Sequence, residues 1–260
     1  MGSALSGAGE CLLPADEWGN SGRARSYQGQ WVRVLDNGEK VVQEVPGRCQ
    51  AERNEAVILE TVLPETIQKD TYLCFRSGKQ DMELSVDGVL RQKYSTGQTR
   101  IFGKVSAVAY VFLEIHPEDA GKTLRVKTQT DSSYSGIFYT VYIGSQIEIW
   151  KNYFINYGAE LGVAFLIIVL STISIIGSTT LRIYYKRRVN LEYLGCGSLI
   201  AGSWLIANSV LRQLMFPNLS VINDIAFYTL MLLPLPYLFY MNVVQKGRYE
   251  KGYFIIVLPR

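Results

Sequence analysis

Three long apolar runs in the second half of the chain restrict its fold more than any other feature. Residues 158–181 read GAELGVAFLIIVLSTISIIGSTTL, with Glu160 as the one charged residue. As a helix this stretch is roughly 36 Å long, enough to cross a bilayer with some tilt. Residues 192–211 (EYLGCGSLIAGSWLIANSVL) and 222–244 (INDIAFYTLMLLPLPYLFYMNVV) are two further runs. A buried hairpin of a soluble protein rarely needs such lengths, and three of them predict an α-helical transmembrane bundle over 151–260. Pro234 and Pro236 predict a kink or break in the third helix, because proline gives up a helical hydrogen bond.

Basic residues set the orientation. Arg182, Lys186, Arg187 and Arg188 follow the first run, and Lys246, Arg248 and Lys251 follow the third. The 212–222 connection carries Arg212 alone. By the positive-inside rule, the 182–190 loop and 245–253 are cytoplasmic, while the N-terminal half and the 212–222 loop lie outside. This predicts a multi-pass protein of the plasma membrane, with the lipid bilayer as its first partner. Trp150, Tyr153, Tyr157, Tyr184 and Tyr185 suit interfacial aromatic belts. Asn208 and Arg212 are four residues apart on one expected helix face, and Asp224 opens the next helix. An Arg212–Asp224 pair across the outer loop is expected, either as a staple of two helices or as a functional group. Gly195, Gly197, Ala201 and Gly202, with a GxxxG at Gly158 and Gly162, favour close helix contact within the bundle or with a second copy in a homodimer.

Before residue 150 the composition is mixed, rich in Val, Thr, Tyr and Gly. Strands are expected at 30–34, 38–44, 56–63, 71–76, 80–86, 88–94, 106–115, 122–129 and 137–144, with hairpin turns at Asp36-Asn37-Gly38 and Asp87-Gly88. Short strands at this spacing predict an all-β jelly-roll-like sandwich over 30–150, after a disordered segment 1–29. Such a domain can bind ligands through exposed aromatic and polar groups. The candidates are Trp31, Arg76, Lys79, Gln80, Asp81, Asp131 and Tyr134, each of which is otherwise a core aromatic or a solvated turn residue.

The four cysteines (Cys11, Cys49, Cys74, Cys196) form no CxxC pair, and His116 is the one histidine. That argues against zinc and against Cys/His catalysis, and no metal ligand set, cofactor motif or catalytic residue is expected. Cys74 reads as a small buried hydrophobe, with a Cys49–Cys74 disulfide as the alternative. The net charge is +3, with cations beside the apolar runs. They are topology signals, and no nucleic-acid surface is expected.

Long strings in the chain carry a resemblance. YLCFRSGKQDMELSVDGVLRQKYS (72–95) and AVAYVFLEIHPEDAGKTLRVKTQTDSSYSGIFYTVYIG (107–144) resemble the extracellular β-domain of membrane-bound GGDEF proteins of gut Firmicutes. LEYLGCGSLIAGSWLIANSVLRQLMFPNLSVINDIAF (191–227) and LLPLPYLFYMNVVQKGRYEK (232–251) are similar to bacterial seven-transmembrane receptors with diverse intracellular signalling modules. The resemblance spans about residues 30–253. It implies a sensor: the outer domain takes a small-molecule or carbohydrate signal and the helices pass it inward. The output in such relatives is a GGDEF diguanylate cyclase, which makes cyclic di-GMP from two GTP.

The chain departs from that pattern. It has three of the expected helices, no GG[DE][DE]F sequence and no export signal before Cys11. Phe254-Ile255-Ile256-Val257-Leu258 looks like the start of another apolar segment. A fragment cut at both ends is the expectation, without enzyme activity of its own. The alternative is a stand-alone membrane-anchored carbohydrate-binding or adhesive surface protein.

Overall fold

The computed structural model describes residues 24–98, 105–186 and 191–245. Cys11, most of the expected disordered segment 1–29, Arg187, Arg188 and the basic residues of 246–253 lie outside them, as does the 254–258 apolar stretch.

The N-terminal half is a sandwich of antiparallel sheets. Its strands are β1 (Arg25–Ser26), β2 (Trp31–Val34), β3 (Lys40–Gln43), β4 (Gly47–Arg48), β5 (Val57–Val62), β6 (Thr71–Arg76), β7 (Asp81–Val86), β8 (Val89–Tyr94), β9 (Tyr110–Ile115), β10 (Thr123–Gln129), β11 (Ile137–Phe138) and β12 (Tyr142–Gly144). A six-stranded sheet runs β3-β2-β5-β10-β7-β8, a four-stranded sheet runs β1-β12-β6-β9, and β11 pairs with β4. Each of the nine expected segments contains a strand. Alternation explains the layering: Leu124, Val126 and Thr128 of β10 and Met82, Leu84 and Val86 of β7 are buried, while Thr123 and Arg125 point out. These side chains meet Leu73, Phe75, Val111, Leu113 and Ile115 of the other sheet in one core. The β7–β8 hairpin turns at Asp87 and Gly88, whose φ of 50° and 80° are those of a type I′ turn.

Residues 24–29 correct the expected disorder. Arg25 and Ser26 pair with Ile143 and Tyr142 at the sheet edge. The adjacent Tyr27 stacks edge-on against Trp31, and its hydroxyl donates to the Val62 carbonyl at 2.6 Å. One half-buried aromatic anchor is enough to order a short polar segment.

Helices follow the last strand directly. They are α1 (Gln146–Tyr185), α2 (Leu191–Asn208), α3 (Arg212–Met215), α4 (Leu219–Leu232) and α5 (Pro234–Val244). The α1 helix starts well before the apolar run because Ser145 and Glu148 form a capping box: the Ser145 hydroxyl accepts from the Glu148 N–H, and the Glu148 carboxylate accepts from the Ser145 N–H. Its first turns lay Ile149 and Tyr153 onto the four-stranded sheet. Only beyond them does the helix become apolar all round. Gln146–Tyr185 and the α4–α5 stretch Leu219–Val244 are long and apolar enough to cross a membrane. The proline pair marks the α4/α5 boundary at Leu233.

Small residues set the α1–α2 distance. Ala164, Ser171 and Ser178 are the buried residues of the apolar part of α1, at seven-residue spacing. Gly202 and Gly195 of α2 face them: a Cβ on Gly202 would come within 2.7 Å of Ile168, and one on Gly195 within 2.8 Å of Ile175. Gly197 lies instead against the ring of Tyr237 in α5. Gly158 meets only Phe154 of its own helix and Gly162 meets nothing, so the expected GxxxG is not part of this contact.

Candidate functional site

Strands run in alternate directions, so the sandwich has two ends. One carries the β6–β7, β8–β9 and β10–β11 connections; α1 starts at the other end, next to Gly144, crosses the face of the four-stranded sheet and meets α3 at this one. The ligand candidates from sequence, Trp31 apart, come together at this end.

Turn 76–81 and loop 129–139 are laced to each other. Gln80 is buried and its amide donates to the Ile137 carbonyl at 2.7 Å, while the Thr130 hydroxyl donates to the Lys79 carbonyl at 2.9 Å. Lys79 Nζ sits 4.7 Å from the Tyr134 ring centroid, and Arg76 Cζ sits 4.4 Å from that of Tyr139. Gly78, at φ 58°, lets the turn press against Tyr139 where a Cβ would overlap the ring. Asp81 accepts a short hydrogen bond from the Ser106 hydroxyl, and Asp131 is half-buried in the facing loop. The cations already cover the two aromatic rings, so most of these groups hold the loops together.

Trp31 lies deeper, in the core beneath Arg76 and Tyr139, with which it lines a small cavity. It is 3% exposed and makes edge contacts to Tyr27 and Phe75 in the core. A surface platform for a sugar cannot use it. Its indole N–H is buried without a partner, as is the Gln80 side-chain carbonyl. An open concavity that the sequence did not signal is lined by Arg48, Gln50, Glu52 and Glu55. Arg33 braces it, donating to the Gln50 carbonyl at 2.7 Å and pairing with Glu55 at 2.9 Å.

The most built feature at this end is the seam between sheet and helices. The Gln213 carbonyl oxygen accepts from the Tyr110 N–H at 2.8 Å, and its amide donates to the Tyr110 carbonyl at 2.9 Å. A side-chain amide thus completes the edge strand β9 as a neighbouring strand would. Beside it, Arg212 is 8% exposed and donates to the Ala207 carbonyl at 3.0 Å and the Val108 carbonyl at 3.4 Å. Burial pulls the Arg212 guanidinium below its ordinary range, though arginine remains charged. From the other side, Tyr153 of α1 packs 4.6 Å from Tyr110, with Trp150 against Phe112 at 5.4 Å and Tyr142 against Tyr153 at 5.8 Å. Burial pushes the Tyr110 hydroxyl up to about 12.

Three expectations change here. Arg212 does not pair with Asp224: α2 ends at Asn208, and the break at 209–211 swings Arg212 toward the sheet and away from the α4 helix. One Asp224 carboxylate oxygen is left buried without a partner, and Asn208 is exposed. Cys49 and Cys74 form no disulfide, since Cys49 lies in the sandwich core and Cys74 on the opposite face of its sheet, beneath Tyr153. Burial raises the Cys74 thiol to about 12, which leaves it an inert packing group. Trp150 and Tyr153 are packing residues of the seam, because the helix begins earlier than its apolar run.

Sequence reasoning gave Gln213 no role. A polar pair Arg212-Gln213 beside a turn carries no signal of which strand edge it meets. Among the described residues, no group of three or more His, Cys, Asp and Glu is placed to hold a metal ion. No family model and no curated protein matches this chain.

Proposed function

We propose that this chain is the outer sensing and membrane-spanning input portion of a bacterial receptor. The seam carries this reading. The sandwich is tied to the helices twice, once through the continuous α1 helix and once through Gln213 on the Tyr110 backbone. A change in the loops at that end therefore bears on two helices at once. The interleaved strand order, in which β5 pairs with β10 and β6 with β12, supports a jelly roll, a fold suited to a small-molecule or carbohydrate signal. In the multi-pass topology proposed, the sandwich and α3 lie outside and Arg182, ion-paired to Glu192 at 3.0 Å, lies at the cytoplasmic side. The resemblance to GGDEF-linked receptors supports a diguanylate cyclase as the output, carried elsewhere than in these residues. A ligand can shift the α1–α2 contact only by binding one arrangement better than the other.

Hydrogen exchange on the full chain in lipid nanodiscs tests it, with a panel of mono- and oligosaccharides as probes. A sugar that protects the sandwich should also change exchange in α1 and α2. Gln213→Ala, which removes two hydrogen bonds worth about 1–2 kcal/mol together, should leave the first effect and weaken the second. Protection confined to the sandwich in the wild type would instead favour a membrane-anchored binding or adhesive protein.

A further inference from the structure

We propose that Arg76 and Arg212 form a phosphate-binding site at the seam, and that its ligand is the headgroup phosphate of an anionic phospholipid in the outer leaflet. The inference rests on the helices lying in a bilayer and not on the chain signalling.

Two cations meet at one corner of the four-stranded sheet. Arg76 ends β6 directly opposite Tyr110 in the register. By alternation it shares the face of Tyr72 and Cys74, which α1 covers. Arg212 reaches the same corner from α3, held to the Val108 carbonyl while its neighbour Gln213 holds Tyr110. Among the described residues, neither guanidinium has a carboxylate within ion-pair distance. Arg212 spends two of its five N–H donors on neutral carbonyls. The Tyr139 ring takes one face of the Arg76 guanidinium and none of its N–H edge, and the Arg76 Nε is buried without a partner. Arg212 is buried and Arg76 half-buried, and a cation drawn out of water with no counter-charge is costly. An anion that accepts from both removes that cost.

Position selects the source. Tyr110 packs on Tyr153, which stacks on Tyr157 at 6.4 Å, and the charge-free part of the α1 run begins after Glu160, at Leu161. The corner, level with Tyr153 to Tyr157, therefore stands about one to two helical turns above that charge-free run, where lipid phosphates lie. A phosphodiester offers oxygens to two forks, and arginine suits it better than lysine.

The full chain in neutral detergent, titrated with phosphatidylglycerol and read by native mass spectrometry, decides the matter. The wild type should hold one phosphatidylglycerol roughly tenfold more tightly than Arg76→Gln or Arg212→Gln, the loss expected for one charge-assisted contact. Arg212→Gln also loses the hydrogen bonds to the Ala207 and Val108 carbonyls, so Arg76→Gln is decisive, provided its thermal transition matches the wild type. Equal retention by the wild type and Arg76→Gln overturns the site. Arg76-dependent binding of inorganic phosphate, without retained lipid, overturns the lipid assignment and leaves a soluble anion in its place. A chain that holds the lipid but relays no sugar-induced change keeps this site and loses the receptor reading.

Discussion

Leu84 and Leu166 are one residue type in two settings. Leu84, in the sandwich, is 0% exposed and touches residues of both sheets. Leu166, on α1, is 58% exposed, as are most of its apolar neighbours. The sandwich hides its apolar groups and shows charges such as Arg125, Lys127 and Lys93. The helices hide small residues and show large apolar ones. Apolar burial holds the first region together against water. In the second, on the membrane reading proposed above, leucine has nothing to gain from a neighbouring helix that lipid would not supply, and close backbone approach takes over. Substitutions break this contrast most directly. Leu84→Ala should cost about 2–5 kcal/mol of sandwich stability through its cavity. Leu166→Ala should cost within about 0.5 kcal/mol. Hydrogen exchange of β5, β7 and β10 in the full chain checks both, and comparable losses would mean that α1 is packed inside protein.

The two regions were also unequally legible. Period-two alternation and turn residues such as Asp87-Gly88 marked the strands, because a strand buried on one face must alternate. Sheet order was not legible, since β5 and β10 are separated by half of the domain and nothing local names the partner. For the helices, the apolar runs were plain but their ends were not. The α1 helix extends back to Gln146 because a capping box starts it and Ile149 and Tyr153 bury onto the sheet, a polar-looking stretch that hydropathy passes over. The α2 helix stops at Asn208, so the face that Asn208 and Arg212 were expected to share does not exist. Of the candidate ligand residues, chain proximity placed Arg76 to Asp81 together, and only the fold brought Asp131 and Tyr134 to them and put Trp31 in the core. Gln213 escaped notice because its partner is a backbone, and a backbone leaves no trace in residue type.

A second comparison separates the two kinds of packing. Gly202→Leu places a side chain where Ile168 and the Ala164 carbonyl already stand. Overpacking of this kind costs about 1–3 kcal/mol. Gly162→Leu adds the same atoms to α1 where nothing lies within 4 Å. The first variant should speed hydrogen exchange in α1 around Ala164 and Ser171 while the sandwich core exchanges as before; the second should change neither. If Gly162→Leu disturbs the protein as much as Gly202→Leu, then that face of α1 meets another helix, of a second copy or of the same protein.

The smallest effect separates the regions by pH. At the sandwich end away from the Gln213 contact, Asp119 is 1% exposed and accepts from the His116 N–H at 3.1 Å, Lys122 Nζ at 3.1 Å and Arg91 Nη2 at 3.3 Å. Burial alone would push its carboxyl up, but the His116 N–H and the Lys122 and Arg91 charges outweigh it and hold the group below the usual aspartate range. A carboxyl lowered by folding adds stability that is complete above its unfolded value, near pH 4, and is lost as pH falls through the folded one. The sandwich should therefore weaken below about pH 4. Glu60 and Glu83 add to this in the same direction, Glu60 held low by Lys40 against the opposing effect of burial and Glu83 by Lys93. Asp119→Asn should cost about 1 kcal/mol at neutral pH and flatten the fall between roughly pH 4 and 2. Denaturant unfolding of both proteins across that range measures it. The α1–α2 contact is built from Ala164, Ser171, Ser178, Gly195 and Gly202, none of which titrates. Its exchange should stay level over the same range, so an equal acid sensitivity in both regions would show that the seam, and not each region's own packing, limits the stability of the helices.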